Sequence, residues 1–131
     1  MREILFRGKR KDNGEWMQGS LFAECSRIEI VRGTCNNVGI EGVEVIPETI
    51  GQYTGLTDKN GKKIFEGDIL KSVMWWCDEE KNGLVTFKDG AFGFIWYRGT
   101  VKMFHAFTSV CNIEYEVIGN IHDNPELLGD K

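Results

Sequence analysis

Residues 45–70 have the sequence VIPETIGQYTGLTDKNGKKIFEGDIL, and this segment predicts a chain built from short β-strands. The polar run 57–62 separates two apolar segments, and its Asn-Gly pair favours a tight turn because both residues accept positive φ. We therefore expect a hairpin here. A long strand of aliphatic residues should open at Asp68 and continue toward Trp76.

Turn signals on either side of this segment predict two further hairpins. Lys-Asp-Asn-Gly at 11–14 and Asp-Gly at 89–90 each separate runs rich in β-forming residues. The polar run 78–83 is predicted as a loop, and Asn124-Pro125 predicts one helical turn with the asparagine as N-cap. Apolar residues three apart over 101–110 fit either a helical turn or an irregular cover. The expected strands are 3–7, 16–22, 27–32, 43–46, 84–88, 91–97 and 115–121.

Size and composition predict a soluble, mainly β protein with little helix. The chain has 131 residues, 41% hydrophobic and 27% charged, with 16 glycines and 2 prolines. Glycine at this density suits many short strands and tight turns. We expect one domain over 1–131, with possible lobes at 1–56 and 57–131. Charges interrupt the N-terminal segment and no apolar run approaches a membrane span, so we expect a cytoplasmic protein without a membrane partner.

The cysteines and histidines do not predict a metal site or a cofactor. The cysteines lie far apart at Cys25, Cys35, Cys77 and Cys111, and no pair has C-x-x-C spacing. Together with His105 and His122 they offer zinc ligands only if distant segments meet. Reduced, buried thiols are the simpler expectation for this chain.

The charge distribution points to a basic N-terminal hairpin. The net charge is −4, but residues 1–11 carry five basic side chains against one acidic, and residues 112–131 carry five acidic against one basic. The hairpin can contact phosphate, pair with an acidic C-terminus, or form a solvated strand edge protected by its cations. The candidate binding residues of this hairpin are Arg7, Lys9, Arg10 and Lys11.

The run 55–63 superficially resembles a phosphate-binding loop, but its pattern favours a hairpin turn. Five residues separate the glycines, Lys63 replaces the expected Ser or Thr, and a β-like run follows where a helix is needed. Glu66 and Asp68 fall on one strand face. The expected role of Asp68 is to bind turn amides, and that of Glu66 is to face solvent.

Aromatic residues supply the second candidate binding surface. The Gly-Asp pair at 67–68, which opens an aliphatic strand, is typical of a small barrel. A barrel of this size cannot enclose all of Trp75, Trp76, Phe92, Phe94, Trp96 and Tyr97. Apolar residues on both faces of 91–97 indicate a strand that is covered on both sides or meets a partner. We select Trp75, Trp76 and Trp96 as candidate contacts for a protein partner, for self-association or for base stacking.

Four blocks of the chain lie at Glu3–Gly8 (EILFRG), Pro47–Leu70, Gly83–Phe94 and Glu116–Leu128 (EVIGNIHDNPELL). Together they resemble the YopX family of phage and prophage proteins. The resemblance implies a small, mainly β protein with an SH3-like barrel in its C-terminal half, encoded by a phage or an integrated element. It implies no reaction and no catalytic residue. The segments around 23–44 and 98–113 contribute little to it.

Three functions follow as hypotheses. The first is a non-catalytic module that binds another protein, itself included, through an aromatic patch. The alternative is nucleic-acid binding through the basic hairpin and exposed aromatics. A third, by analogy of fold, is a small toxin-like hydrolase, which requires His122 or His105 to meet Asp68 or Glu66 in a cleft.

Overall fold

The computed structural model describes residues 3–24, 27–32, 41–73, 80–98, 100–107 and 115–128. Short 3₁₀ helices lie at Pro47–Thr49 and Pro125–Leu128. The predicted mainly β class is confirmed. Within the described ranges the strands are β1 (Phe6–Lys9), β2 (Trp16–Glu24), β3 (Arg27–Arg32), β4 (Glu41–Glu44), β5 (Gly51–Thr57), β6 (Lys63–Phe65), β7 (Asp68–Val73), β8 (Glu80–Lys88), β9 (Ala91–Arg98), β10 (Val101–Ala106) and β11 (Tyr115–Asn120).

The chain divides into two compact units, Met1–Gly55 and Leu56–Lys131. No helix among the described residues is long and apolar enough to cross a membrane. This division falls within strand β5.

The N-terminal unit is an antiparallel sheet around a small aliphatic core. Its strand order is β4-β3-β2-β1-β5. Met17, Ile30 and Val45 are buried together, because alternation places Met17 on one face of β2 and Trp16 on the other. Beyond β4 the chain returns to the end of β1, where Arg10 and Val45 form an isolated bridge.

The C-terminal unit contains a five-stranded antiparallel sheet in the order β10-β9-β8-β7-β11. Two buried clusters share one face of this sheet. One contains Ile64, Leu70 and Val85, the other contains Phe94 and Trp96. Strands β10 and β11 lie at opposite ends of the described order, so this sheet is not closed and the SH3-like barrel is not confirmed.

Two predictions about this unit are wrong. The run 78–83 is not a loop throughout, because β8 begins at Glu80 and pairs with β7 from there. The residues 101–106 are neither helical nor irregular, because β10 pairs with β9 over six consecutive positions. Residues 108–110 lie outside the described residues.

The predicted turns are confirmed. Gly14 has φ of +75° after the first hairpin turn, and Gly61 has φ of +84° in the turn at 58–62. Asp89 and Gly90 both have positive φ, 52° and 83°, as a two-residue type I′ hairpin turn requires.

Candidate functional site

Two cations of the N-terminal hairpin lie over a tryptophan ring. Lys9 pairs directly with Trp16 in the β1–β2 register, and Arg7 lies two residues along the same face. The Arg7 Cζ atom lies 4.7 Å from the ring centroid, and the Lys9 Nζ atom 5.5 Å. These cation–π contacts hold both charges against the sheet. We call Arg7, Lys9 and Trp16 the Trp16 surface.

The other two predicted basic residues are engaged in ion pairs. Arg10 donates two hydrogen bonds to the Asp12 carboxylate, at 3.0 and 2.8 Å. The Lys11 Nζ atom lies 3.1 Å from Glu44 Oε2. The Arg10 guanidinium lowers the pKa of Asp12, more than its slight desolvation raises it. A carboxylate therefore lies beside each of these two cations.

Trp96 lies in the core and not on the surface. It is 2% exposed and shares a buried cluster with Phe94. His105 is in edge contact with both rings, at 5.6 Å between centroids in each case. Burial lowers the pKa of His105. The selection of Trp96 as a contact residue is corrected to a core role, and Trp75 and Trp76 lie outside the described residues.

Exposed large apolar side chains of the C-terminal sheet include Phe87 in β8 and two residues of the β9–β10 hairpin. Tyr97 is 42% exposed and Val101 is 58% exposed. Tyr97 pairs with Lys102 across the β9–β10 hairpin, and Phe104 lies two residues farther along. Val101 pairs with Arg98 and lies on the opposite face of the hairpin. We call Tyr97, Lys102 and Phe104 on one face, together with Val101 on the other, the β9–β10 surface. The apolar residues on both sides of 91–97 indicated such a surface, but they did not identify its members in β10.

Lys88 of β8 lies beside this surface. The Lys88 Nζ atom is 5.6 Å from the centroid of the Phe104 ring. Phe104 also packs against Gly93, where a Cβ atom would lie 2.7 Å from its Cζ atom. The aromatic ring is therefore fixed in place by a glycine below it and a lysine beside it.

The carboxylate of Asp58 has a structural role. Its Oδ1 atom accepts hydrogen bonds from the amides of Asn60 and Lys62, at 2.8 and 2.9 Å, and Oδ2 accepts one from Val117 at 3.0 Å. Burial by itself raises the pKa of Asp58, but these backbone donors favour the charged form and the net direction is downward. Asp58 thereby joins the 58–62 turn, once compared with a phosphate loop, to β11.

Asp68 is also structural. It is 2% exposed, and its Oδ2 atom accepts a hydrogen bond of 2.8 Å from the Phe65 amide. The prediction that Asp68 binds turn amides is confirmed. The buried carboxylate holds the tight connection between β6 and β7, in which Gly67 has φ of +90°.

The histidines proposed as hydrolase partners lie in different surroundings. His122 is exposed, in a turn where Asn120 Oδ1 accepts hydrogen bonds from the amides of His122 and Asp123, at 3.0 and 2.9 Å. The Ile121 amide donates to the Gly67 carbonyl at 2.8 Å, so this turn lies beside the turn that Asp68 stabilises. The Asp68 carboxylate already accepts a hydrogen bond from the backbone of its own turn, so its position does not support the hydrolase hypothesis.

The described residues contain no group of three or more His, Cys, Asp or Glu side chains that could hold a metal ion. All four cysteines lie outside the described residues.

The expected N-cap Asn124 precedes the final 3₁₀ helix, and its carbonyl accepts a hydrogen bond from the Leu127 amide at 3.0 Å. Its side chain accepts from the Asn120 amide at 3.3 Å.

Comparison with known proteins identifies the relatives of the chain. The family described as YopX protein matches residues 5–129. The chain belongs to the YopX family. The chain is also similar to the crystal structure of protein EF1440 from Enterococcus faecalis, with 28% sequence identity. The match covers 98% of this chain and 99% of that one, with a TM-score of 0.61. No protein with a curated description matches the chain.

Proposed function

We propose that this YopX-family protein is a non-catalytic binding module, encoded by a phage or prophage and active in the cytoplasm of its bacterial host. It contacts another protein chain through the β9–β10 surface. The observation that carries the proposal is the exposure of Tyr97 and Val101 on the two faces of one hairpin. Large apolar side chains exposed on both faces of a hairpin gain free energy when a partner that covers the hairpin removes them from water.

The chemistry of this surface suits a protein partner. An aromatic ring, an aliphatic side chain and a lysine stem lie within two adjacent strands. Tyrosine contributes large contact area at low cost in conformational entropy, and aromatic anchors commonly dominate protein interfaces. The apolar and cationic atoms at Phe104 and Lys88 extend the same surface.

The test is affinity capture from host lysate, with nuclease present, of two variants that lose similar exposed area. One carries Tyr97→Ser and Val101→Ser. The matched control carries Phe22→Ser, since Phe22 is 47% exposed in the N-terminal unit. A second, differently tagged copy of the chain is co-expressed, so that self-association is detected as well.

We expect the captured chain, of host or self origin, to be lost with the β9–β10 variant and retained with Phe22→Ser. Equal capture by both variants, or no protein captured by the wild type, would overturn the proposal. Circular dichroism and a thermal melt of each variant establish that it is folded.

Nucleic-acid binding is the second candidate, and the Trp16 surface favours it. Two cations beside an aromatic ring provide both phosphate contacts and a stacking partner. Binding of a fluorescent single-stranded DNA should then weaken steeply with salt, with a slope of about −0.7 per phosphate contacted. Arg7→Glu with Lys9→Glu should abolish binding, whereas Lys59→Glu should not. Binding that is insensitive to both salt and Arg7/Lys9 replacement would exclude this candidate.

A further inference from the structure

We infer that β10 is a pairing edge and that it joins β10 of a second copy of this chain, in antiparallel register, to extend the sheet across a two-fold dimer. The inference rests on the proposed function and names its partner. A strand added to a sheet edge gains main-chain hydrogen bonds, and its side chains cover both faces of the edge strand. Val101 on one face, with Tyr97 and Lys102 on the other, are placed for such a contact.

The type I′ turn establishes which backbone groups of β10 point outward. Its closing pair, Lys88 and Ala91, is hydrogen-bonded, so alternation directs the odd-numbered residues of β9 toward β8 and the even-numbered ones toward β10. Phe94 and Trp96 are opposite His105 and Met103. Residues 101, 103 and 105 therefore bond to β9, whereas Lys102 and Phe104 direct their N–H and C=O groups away from it.

The other end of this sheet is covered by the protein itself. On β11, the Val117 amide donates to Asp58 Oδ2 at 3.0 Å, and the Tyr115 carbonyl accepts from the Lys59 amide at 3.0 Å. A bulge between Val117 and Gly119 also interrupts the regularity of β11. Both features discourage strand addition. In contrast, β10 is regular over six paired residues and contains no proline.

One register satisfies both backbone and side chains. Outward groups must meet outward groups, so Lys102 pairs with Phe104 of the second copy and Phe104 pairs with Lys102. This places a lysine beside an aromatic ring, the same contact that Lys88 and Phe104 make within one chain. Val101 then lies opposite His105, which covers the most exposed apolar side chain of β10.

This register has an electrostatic consequence. The lysines at position 102 of the two copies become diagonal neighbours, with Cα atoms about 7–8 Å apart. Their repulsion acts over about one Debye length at physiological salt, so added salt screens it. The dimer should therefore bind more tightly as salt rises, opposite to nucleic-acid binding.

Sedimentation of two variants tests the inference. Lys102→Pro removes the outward N–H of an exposed residue but leaves the bonds between β9 and β10 in place, and proline is tolerated at such an edge position. Lys102→Ala removes the charge and keeps the N–H. We expect wild type and Lys102→Ala to dimerise at micromolar concentration, and Lys102→Pro to have a dissociation constant at least about tenfold higher.

Three results would overturn the inference. They are a wild type that is monomeric throughout, a Lys102→Pro variant that dimerises like Lys102→Ala, and a wild-type dimer that weakens as salt rises. The salt series needs no variant, so it remains decisive if Lys102→Pro does not fold. A monomeric wild type that still loses a host protein on Tyr97→Ser with Val101→Ser would overturn the self-pairing alone and leave the proposed function intact.

Discussion

Particular carboxylates in the two units of this protein lie in different surroundings. In the N-terminal unit Asp12 pairs with Arg10, and Glu44 pairs with Lys11, on a solvated surface. In the C-terminal unit Asp58 and Asp68 are buried, and backbone amides bind their oxygens. An aspartate is therefore a replaceable surface residue in the N-terminal unit, whereas in the C-terminal unit it stabilises the conformation of a turn.

The difference follows from desolvation. A carboxylate in water gains little from a nearby cation, because solvent and side-chain entropy offset the attraction. A buried carboxylate must have its lone pairs satisfied, and its removal leaves buried amides without acceptors. We therefore expect unfolding free energy to depend strongly on buried groups of the C-terminal unit and weakly on the ion pairs of the N-terminal unit.

The largest expected effect is that of Asp58→Ala. It removes three hydrogen bonds to a charged acceptor, one of them from Val117 in β11, and should lower the free energy of unfolding by about 4 kcal/mol. Urea denaturation measures the loss. Asp12→Ala is the matched control in the other unit and should change the midpoint little. Equal effects of the two substitutions would refute the proposed difference between the units.

Gly93→Ala should be the next most damaging change. A Cβ atom at Gly93 would collide with the His105 carbonyl oxygen and lie 2.7 Å from Phe104 Cζ, and the backbone of β10 cannot yield easily. We expect a loss of about 3 kcal/mol in thermal or urea unfolding. At Gly8 in the N-terminal unit the neighbours are side-chain atoms of Val45 at 3.1 to 3.3 Å, so Gly8→Ala should cost about 1 kcal/mol. The reverse order would contradict this reading of the two sites.

Acid should destabilise the C-terminal unit in two steps. Burial lowers the pKa of His105 below 6.5, so the unfolded chain takes up this proton first and the free energy of unfolding falls as pH drops below that value. The pKa of Asp58 is lowered below 3.8, so its contribution is complete above that value and is lost as pH falls through the lowered pKa.

Urea midpoints measured across both pH ranges test these two steps. His105→Gln should remove the first step and leave the second. A first step that persists in His105→Gln would show that another group titrates there.

The smallest expected effect belongs to the surface ion pairs. In a double-mutant cycle, Lys11→Ala and Glu44→Ala should couple by less than about 0.5 kcal/mol, because both side chains are substantially exposed. A coupling above about 2 kcal/mol would mean that this pair behaves like a buried one.

The sequence predicted local features well where a local pattern carried the information. The alternation of Ile28 and Ile30 predicted β3 with its observed bounds, and the Asp-Gly pair predicted the turn at 89–90. The strand β8 was missed at its start because Glu80, Lys81 and Asn82 are polar, and polarity was interpreted as a loop. Their pairing partner in β7 supplies the backbone bonds that single-sequence patterns do not reveal.

Long-range contacts explain the remaining errors. The three-residue spacing of Val101 and Phe104 fitted a helical turn or an irregular cover, but in β10 the two side chains occupy opposite faces of a regular strand. Trp96 was selected as a contact because the chain has surplus aromatic residues, yet cross-strand neighbours such as Met103 enclose it. The bond from Val117 to Asp58 spans 59 positions and has no local signature.

Amide hydrogen exchange along β10, followed by NMR at low and high protein concentration, tests most directly whether this edge is the contact surface. At low concentration Met103 and His105 should be protected by β9, while Lys102 and Phe104 exchange rapidly. At high concentration Lys102 and Phe104 should become protected as well, and β11 should not change. Exchange of Lys102 and Phe104 that is the same at every concentration would contradict pairing of this edge with a second copy.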